Sequence, residues 1–179
     1  MTDFTFYTPE TASDTAKPIL AEIEKGYGFI PNLFAYMAEA PTTLKAYLAL
    51  NELIEETSLS PAQQQVALLA ASVENTCDFC TIAHRAIGNM KKANGQTLSA
   101  LANGETITDP SDAALVAFTR AMVKDRGRPS QDDVNAFFDA GFTKQQIMEV
   151  VLIISIKTLS NYINHFTLPE ANEELLAVM

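Results

Sequence analysis

The 179-residue sequence predicts an all-α fold, a helical bundle that assembles into oligomers, and three features carry that prediction. Helix starts recur along the chain as Ser, Thr or Asp placed before proline, or three residues ahead of Gln or Asp. From Ile147 to Ile163 apolar side chains wrap most of a helix circumference, the mark of a helix buried in a core or against another subunit. No run alternates apolar and polar residues long enough for a half-buried strand, and no Asn-Gly or Asp-Gly pair sits between β-branched runs.

Taken in order, residues 1–25 read as an N-terminal arm with a first short helix. Pro41 can open a helix on which Leu44, Tyr47 and Leu48 share a face. Ser60-Pro61-Ala62-Gln63 is a capping box with proline at the first helical position, opening a helix to about Glu74. The next helix follows without a glycine; Asn75 or Thr76 is expected to cap it, with Cys77 in its first turn, and it reaches toward Asn94-Gly95. Asp109-Pro110 starts another, with Gly127 as its stop. Ser130 with Asp133 and Thr143 with Gln146 start two more, separated by Gly141 as a C-terminal cap. Pro169 is expected to end the last long helix, which makes 26–168 the helical domain and 169–179 a tail. The pair Phe137-Phe138 and the methionines read as core or interface filler.

Composition narrows the function. Apolar residues make up 47% and charged residues 19%, a globular composition. The opening MTDFTFYTPE shows no basic stretch followed by an apolar run, so a soluble cytoplasmic protein is expected. The longest apolar run, Val150 to Ile156, falls short of a membrane span. A net charge of −10 repels phosphate backbones and anionic lipids, which makes nucleic acid and membranes poor partners. There is no glycine-rich phosphate loop, GxSxG elbow or HExxH helix, and no cofactor or resident metal is expected.

Both cysteines fall in one stretch, ENTCDFCTIAH (residues 74–84). Cys77, Cys80 and His84 are spaced three and then four apart, along one face of a helix. A helix N-terminus and a nearby imidazolium can lower a thiol pKa from about 8.5 into the range of roughly 3.5–7.5. The second cysteine would then resolve a sulfenic acid into a disulfide. Two other readings compete. Two thiolates and an imidazole are legitimate zinc ligands, but a fourth is missing unless the fold delivers His165; otherwise His165 reads as hydrogen-bonded structure at a helix end. The plainest alternative is two buried cysteines and a capping histidine.

CDFCTIAH resembles the C-x-x-C-x-x-x-H motif of the alkylhydroperoxidase D (AhpD)-like branch of the carboxymuconolactone decarboxylase family. GFIPNLFAYMAEAPTTLKAYLALNEL before it is similar to the peroxidase-related members, LSPAQQQVALLAASVENTC to the family's approach helix, and NYINHF to its closing segment. The likeness runs from about Gly26 to Leu168. It implies an AhpD-like helical bundle in homo-oligomers, trimers or hexamers, with the cysteine helix near subunit contacts. It also implies a thiol-dependent peroxidase or disulfide reductase acting on a hydroperoxide, with a dithiol reductant or a peroxiredoxin partner. Carried over by position, Cys80 is the thiol beside the relay histidine His84, and Cys77 is its disulfide partner. The family's relay carboxylate falls at Gln65, which cannot exchange a proton, and Glu74 is a candidate substitute. Phe79 stands where the best-studied members have a histidine. The alternatives are a non-enzymatic redox sensor or partner-binding protein, and a carboxymuconolactone decarboxylase-like enzyme, although those members act without this cysteine motif.

Overall fold

The computed structural model describes residues 3–179. Ten helices follow one another, and no strand occurs among the described residues. They are α1 (Lys17–Tyr27), α2 (Asn32–Met37), α3 (Pro41–Glu55), α4 (Pro61–Glu74), α5 (Asp78–Met90), α6 (Gly95–Asn103), α7 (Pro110–Lys124), α8 (Gln131–Asp139), α9 (Lys144–Thr167) and α10 (Glu173–Leu176). The expected all-α architecture is what the chain adopts.

The centre of the bundle is α4. Ser60 Oγ accepts from Gln63 N and Gln63 Oε1 accepts from Ser60 N, closing the expected capping box. Every residue from Gln64 to Ser72 is buried, so α4 is enclosed on all sides, packed by α3, α5, α6, α7 and α9. The boxes at Ser130–Asp133 and Thr143–Gln146 also form, as does the Asp109 cap. Phe137 is fully buried and stacks between Phe118 and Phe142 at 4.2 and 4.5 Å, while Phe138 is only partly covered.

Two boundaries differ from expectation. First, neither Asn75 nor Thr76 caps α5. Thr76 has φ 54° and ends α4 in the left-handed conformation, with Cys77 N bonded to Ser72 O at 3.0 Å, so Cys77 itself becomes the N-cap. Second, α5 stops at Met90, and Asn94-Gly95 opens the separate α6, with Asn94 Oδ1 accepting from Gln96 N. As expected, α9 starts at the Thr143 cap and stops before Pro169, but over its 24 residues it is long and apolar enough to cross a membrane by length and composition, which the short run Val150–Ile156 concealed. Here its inward face carries Glu149, Lys157, Asn161 and Asn164, all buried against α2, α3, α4 and α7 or their loops.

Both ends of the chain are tied to the bundle. Tyr7 N donates to Ala35 O and Tyr7 Oη to Glu39, while Ala12, Ala16 and Leu20 are buried. Past Leu168, which closes α9 at φ 47°, Asn172 Oδ1 accepts from Asn32 N and Asn32 Nδ2 donates to Glu170 O. That pairing lays α10 across α5.

Candidate active site

The three-residue link between α4 and α5 places the thiols. Cys77 sits at the N-cap of α5 and Cys80 three residues on, inside the first turn, where unpaired N–H groups and the helix dipole favour negative charge. Both are free thiols, each 2% exposed. The opposite wall is α9, whose Lys157, Asn161 and Asn164 are spaced four and three apart and so share a face. Asn164 Nδ2 donates to Cys80 Sγ at 3.1 Å and to Cys77 Sγ at 3.5 Å. Asn161 accepts from Asn75 Nδ2 through Oδ1, and its own Nδ2, otherwise unpartnered, assists Cys80.

The two sulfurs divide the charge. Cys77 keeps its proton and donates it toward Cys80; that hydrogen bond and burial push its thiol far up. Cys80 goes the other way, down to about 5. The Cys77 hydrogen bond is the main cause and the nearby charge of Lys157 follows, together outweighing burial. Cys80 is therefore the thiolate of the pair.

His84 is placed one turn beyond Cys80, as expected, but its ring nitrogens face elsewhere. Nδ1 lies 3.0 Å from Gln65 Oε1, and Nε2 lies 2.8 Å from Lys157 Nζ. An amide oxygen only accepts and an ammonium only donates, so Nδ1 carries the hydrogen and Nε2 offers its lone pair to the lysine. Burial, reinforced by Lys157, holds the imidazole's pKa well below its ordinary value. A neutral ring committed at both nitrogens is not the direct acceptor of the Cys80 proton.

Glu74, the candidate replacement carboxylate, is not brought to the thiols. It points to the surface and accepts from Arg120 Nε at 2.7 Å. His165 is exposed and stacks on Tyr162, and among the described residues no group of His, Cys, Asp or Glu is arranged to hold a metal ion. What the sequence reading missed is the α9 triad. Its signal was a single lysine inside an otherwise apolar stretch, followed by asparagines at helical spacing.

A cavity of about 410 Å³ opens onto this cluster. Cys80, His84, Lys157 and Gln65 line its polar end, whereas Cys77 does not reach it. Phe34, Tyr47, Phe79, Ile87 and, from α10, Leu175 supply the apolar walls, and Glu55 and Lys91 meet at its edge at 3.9 Å. The size and lining suit a small organic ligand.

A bundle of this kind, with a free CxxC pair at the start of a helix facing a cavity, defines a helical protein with a thiol site. The sequence pattern of the carboxymuconolactone decarboxylase family matches residues 41–122. A peroxidase-related protein from Ralstonia eutropha JMP134 with an alkylhydroperoxidase AhpD core has the same fold, with TM-score 0.85, 20% identity, and 98% of this chain and 94% of that one covered. A peroxidase-related protein from Silicibacter sp. TM1040 follows at TM-score 0.79 and 18% identity, covering 97% and 92%. A variant of the debrominase Bmp8 in complex with 2,3,4-tribromopyrrole superimposes equally well, with TM-score 0.79, 18% identity, and 99% and 96% covered. No curated protein matches by sequence. Residues 41–122 thus carry the carboxymuconolactone decarboxylase pattern inside a chain that has the fold of the AhpD core.

Proposed function

We propose that the protein is a thiol-dependent peroxidase that reduces an organic hydroperoxide at Cys80 and recovers through a Cys77–Cys80 disulfide. The observation that carries this reading is the asymmetry of the pair: Cys80 lines the cavity and is the thiolate, while Cys77 lies behind it and keeps its proton. The Cys80 thiolate attacks the terminal oxygen of the hydroperoxide, forming an S–O bond as the O–O bond breaks and the alkoxide leaves. Cys77 then attacks the sulfenic acid, releasing water and closing the disulfide. An external dithiol, or the thiols of a partner peroxiredoxin, returns two electrons and restores both cysteines.

The test is multiple-turnover consumption of cumene hydroperoxide by the reduced protein with dihydrolipoamide as electron donor. The expected result is turnover that is abolished in Cys80→Ser, with a Cys77–Cys80 peptide recovered from the oxidised wild type. A reversible disulfide without turnover would instead make the protein a redox sensor. Inertness of both thiols would remove the redox reading altogether.

A further inference from the structure

Lys157 is 1% exposed and reaches no carboxylate: among the described residues the ion pairs are all at the surface, and the buried Glu149 is held by Ser58 and Gln145. A buried ammonium is costly unless an anion or strong acceptors compensate it. Two partners are in reach. One is the lone pair of His84 Nε2 at 2.8 Å. The other is Cys80, which lines the same cavity and on which the lysine's charge acts. At the far side of the imidazole stands Gln65, an amide where a carboxylate would compete for the lysine's charge.

We propose that Lys157 is a catalytic residue of this site: its ammonium is the counter-ion of the Cys80 thiolate and the acid that protonates the alkoxide as the O–O bond breaks. His84 is a positioning residue, whose lone pair holds Nζ at the cavity wall. The second half of the proposal rests on the peroxidase reading; the first does not. The step balances as written: Cys80 thiolate, hydroperoxide and Lys157 ammonium give Cys80 sulfenic acid, alcohol and Lys157 amine. Solvent returns one proton to the amine before the next cycle. An alkoxide is a poor leaving group, so its protonation in the transition state falls in the range of general acid catalysis, about 10²–10⁴-fold.

The titratable groups facing Cys80 are Cys77 and His84 on its own element, Lys157 from α9 and Tyr47 from α3. Of these, Cys77 donates to the thiolate, while Tyr47 stays protonated because burial, and then Cys80, raise its pKa. Only Lys157 brings positive charge.

The experiment uses the full chain as wild type, Lys157→Met and Lys157→Arg. Alkylation of Cys80 by iodoacetamide, followed across pH with mass mapping, reads the counter-ion. The midpoint should rise by at least about one pH unit in K157M, toward the free-thiol value of about 8.5. It should stay low in K157R, which keeps the charge. Single-turnover oxidation reads the acid. With cumene hydroperoxide, whose leaving group needs a proton, K157M should slow about 10²–10⁴-fold. With peracetic acid, which expels a stable carboxylate, the loss should be at least tenfold smaller. K157R should behave like K157M in this ratio, because a guanidinium does not give up its proton. An unmoved alkylation midpoint in K157M overturns the counter-ion role. Equal slowing with both oxidants, in either variant, overturns the acid role. A wild type inert to both oxidants defeats the peroxidase reading and the acid with it, while the alkylation profile still decides the counter-ion. Should K157M fail to give the wild-type circular dichroism spectrum, K157R alone decides, by its midpoint and its oxidant ratio.

Discussion

Replacing Asn164 by leucine should weaken the thiolate and strengthen the fold. Asn164 is buried, and its Nδ2 donates to Cys80 Sγ at 3.1 Å, while its Oδ1 has no partner. A hydrogen bond to a charged group contributes about 1.5–3 kcal/mol. At 1.36 kcal/mol per pKa unit, losing it should raise the Cys80 pKa by about one to two units. The thiol should not revert fully, because Cys77, Lys157 and Asn161 still act on it. Leucine, of similar shape, also removes an unpaired buried oxygen, a group that costs about 1–3 kcal/mol to bury. The iodoacetamide alkylation midpoint of Cys80 measures the first effect. Urea denaturation of the disulfide form, in which no thiolate remains to be stabilised, measures the second, with a gain of about 1 kcal/mol expected. A midpoint unchanged within a few tenths of a unit would refute the role given to the amide. A disulfide form less stable than wild type would refute the unpaired oxygen.

Four further outcomes follow from the same geometry. Stability of the reduced protein should rise from about pH 5 to about 8.5: the folded Cys80 releases its proton near the lower value and an unfolded thiol near the upper one, so the unfolded chain binds more protons in that window. Denaturation midpoints flat across that window would contradict the assignment of the thiolate. Gly88→Ala should destabilise by about 1–3 kcal/mol, because its new methyl would meet Leu98 Cδ1 at 2.9 Å and Leu98 is itself buried in the core; thermal unfolding checks this. Glu74→Gln should leave thiol reactivity and peroxide turnover unchanged, since it loses only a surface pair with Arg120 that contributes about 0–1 kcal/mol. Met148, Val151, Tyr162 and Phe166 form an exposed apolar stripe along α9. Phe166→Asp should therefore lower the mass measured by light scattering, and a wild-type monomer at every concentration would end the expectation of a homo-oligomer.

The parts of the fold that were legible in the sequence are those decided locally. Ser60, Asp109, Ser130 and Thr143 cap helices because their side chains and the third residue after each satisfy orphan N–H groups within four residues of chain. The start of α5 was misread because its cause lies outside it. Thr76 adopts a left-handed conformation that a β-branched residue disfavours. That conformation passes the capping position to Cys77, a residue with no capping preference. The end of α8 followed the glycine rule, with Gly141 at positive φ, whereas α7 turns left-handed first on Arg126, one residue ahead of Gly127, and α9 stops at Leu168 immediately before the expected Pro169.

The candidate site divides along the same line. Cys77, Cys80 and His84 were found because helical spacing makes them neighbours, and Gln65 because a family pattern marks its position. Glu74 failed for a reason of geometry: it is the last residue of α4, so its direction is set by α4 and not by the cysteines three residues later, and α4 turns it to Arg120. Lys157, Asn161 and Asn164 lie 73 to 87 residues away in sequence from their partners, beyond any periodicity argument. Their contact changes the meaning of the residues already found. With a carboxylate at position 65 and no lysine, a histidine could be charged and serve as the base. With Gln65 on one nitrogen and Lys157 on the other, the same histidine stays neutral, and the positive charge acting on the sulfur is the lysine's. The glutamine is then not a missing base. It is what keeps the lysine's charge directed at Cys80, because an anion at position 65 would draw the proton of the chain toward α4 and leave the thiolate with a weaker partner. A Gln65→Glu protein should accordingly show a higher Cys80 alkylation midpoint than wild type. A lower midpoint would mean that the carboxylate relay, and not the lysine, is the natural partner of this thiol.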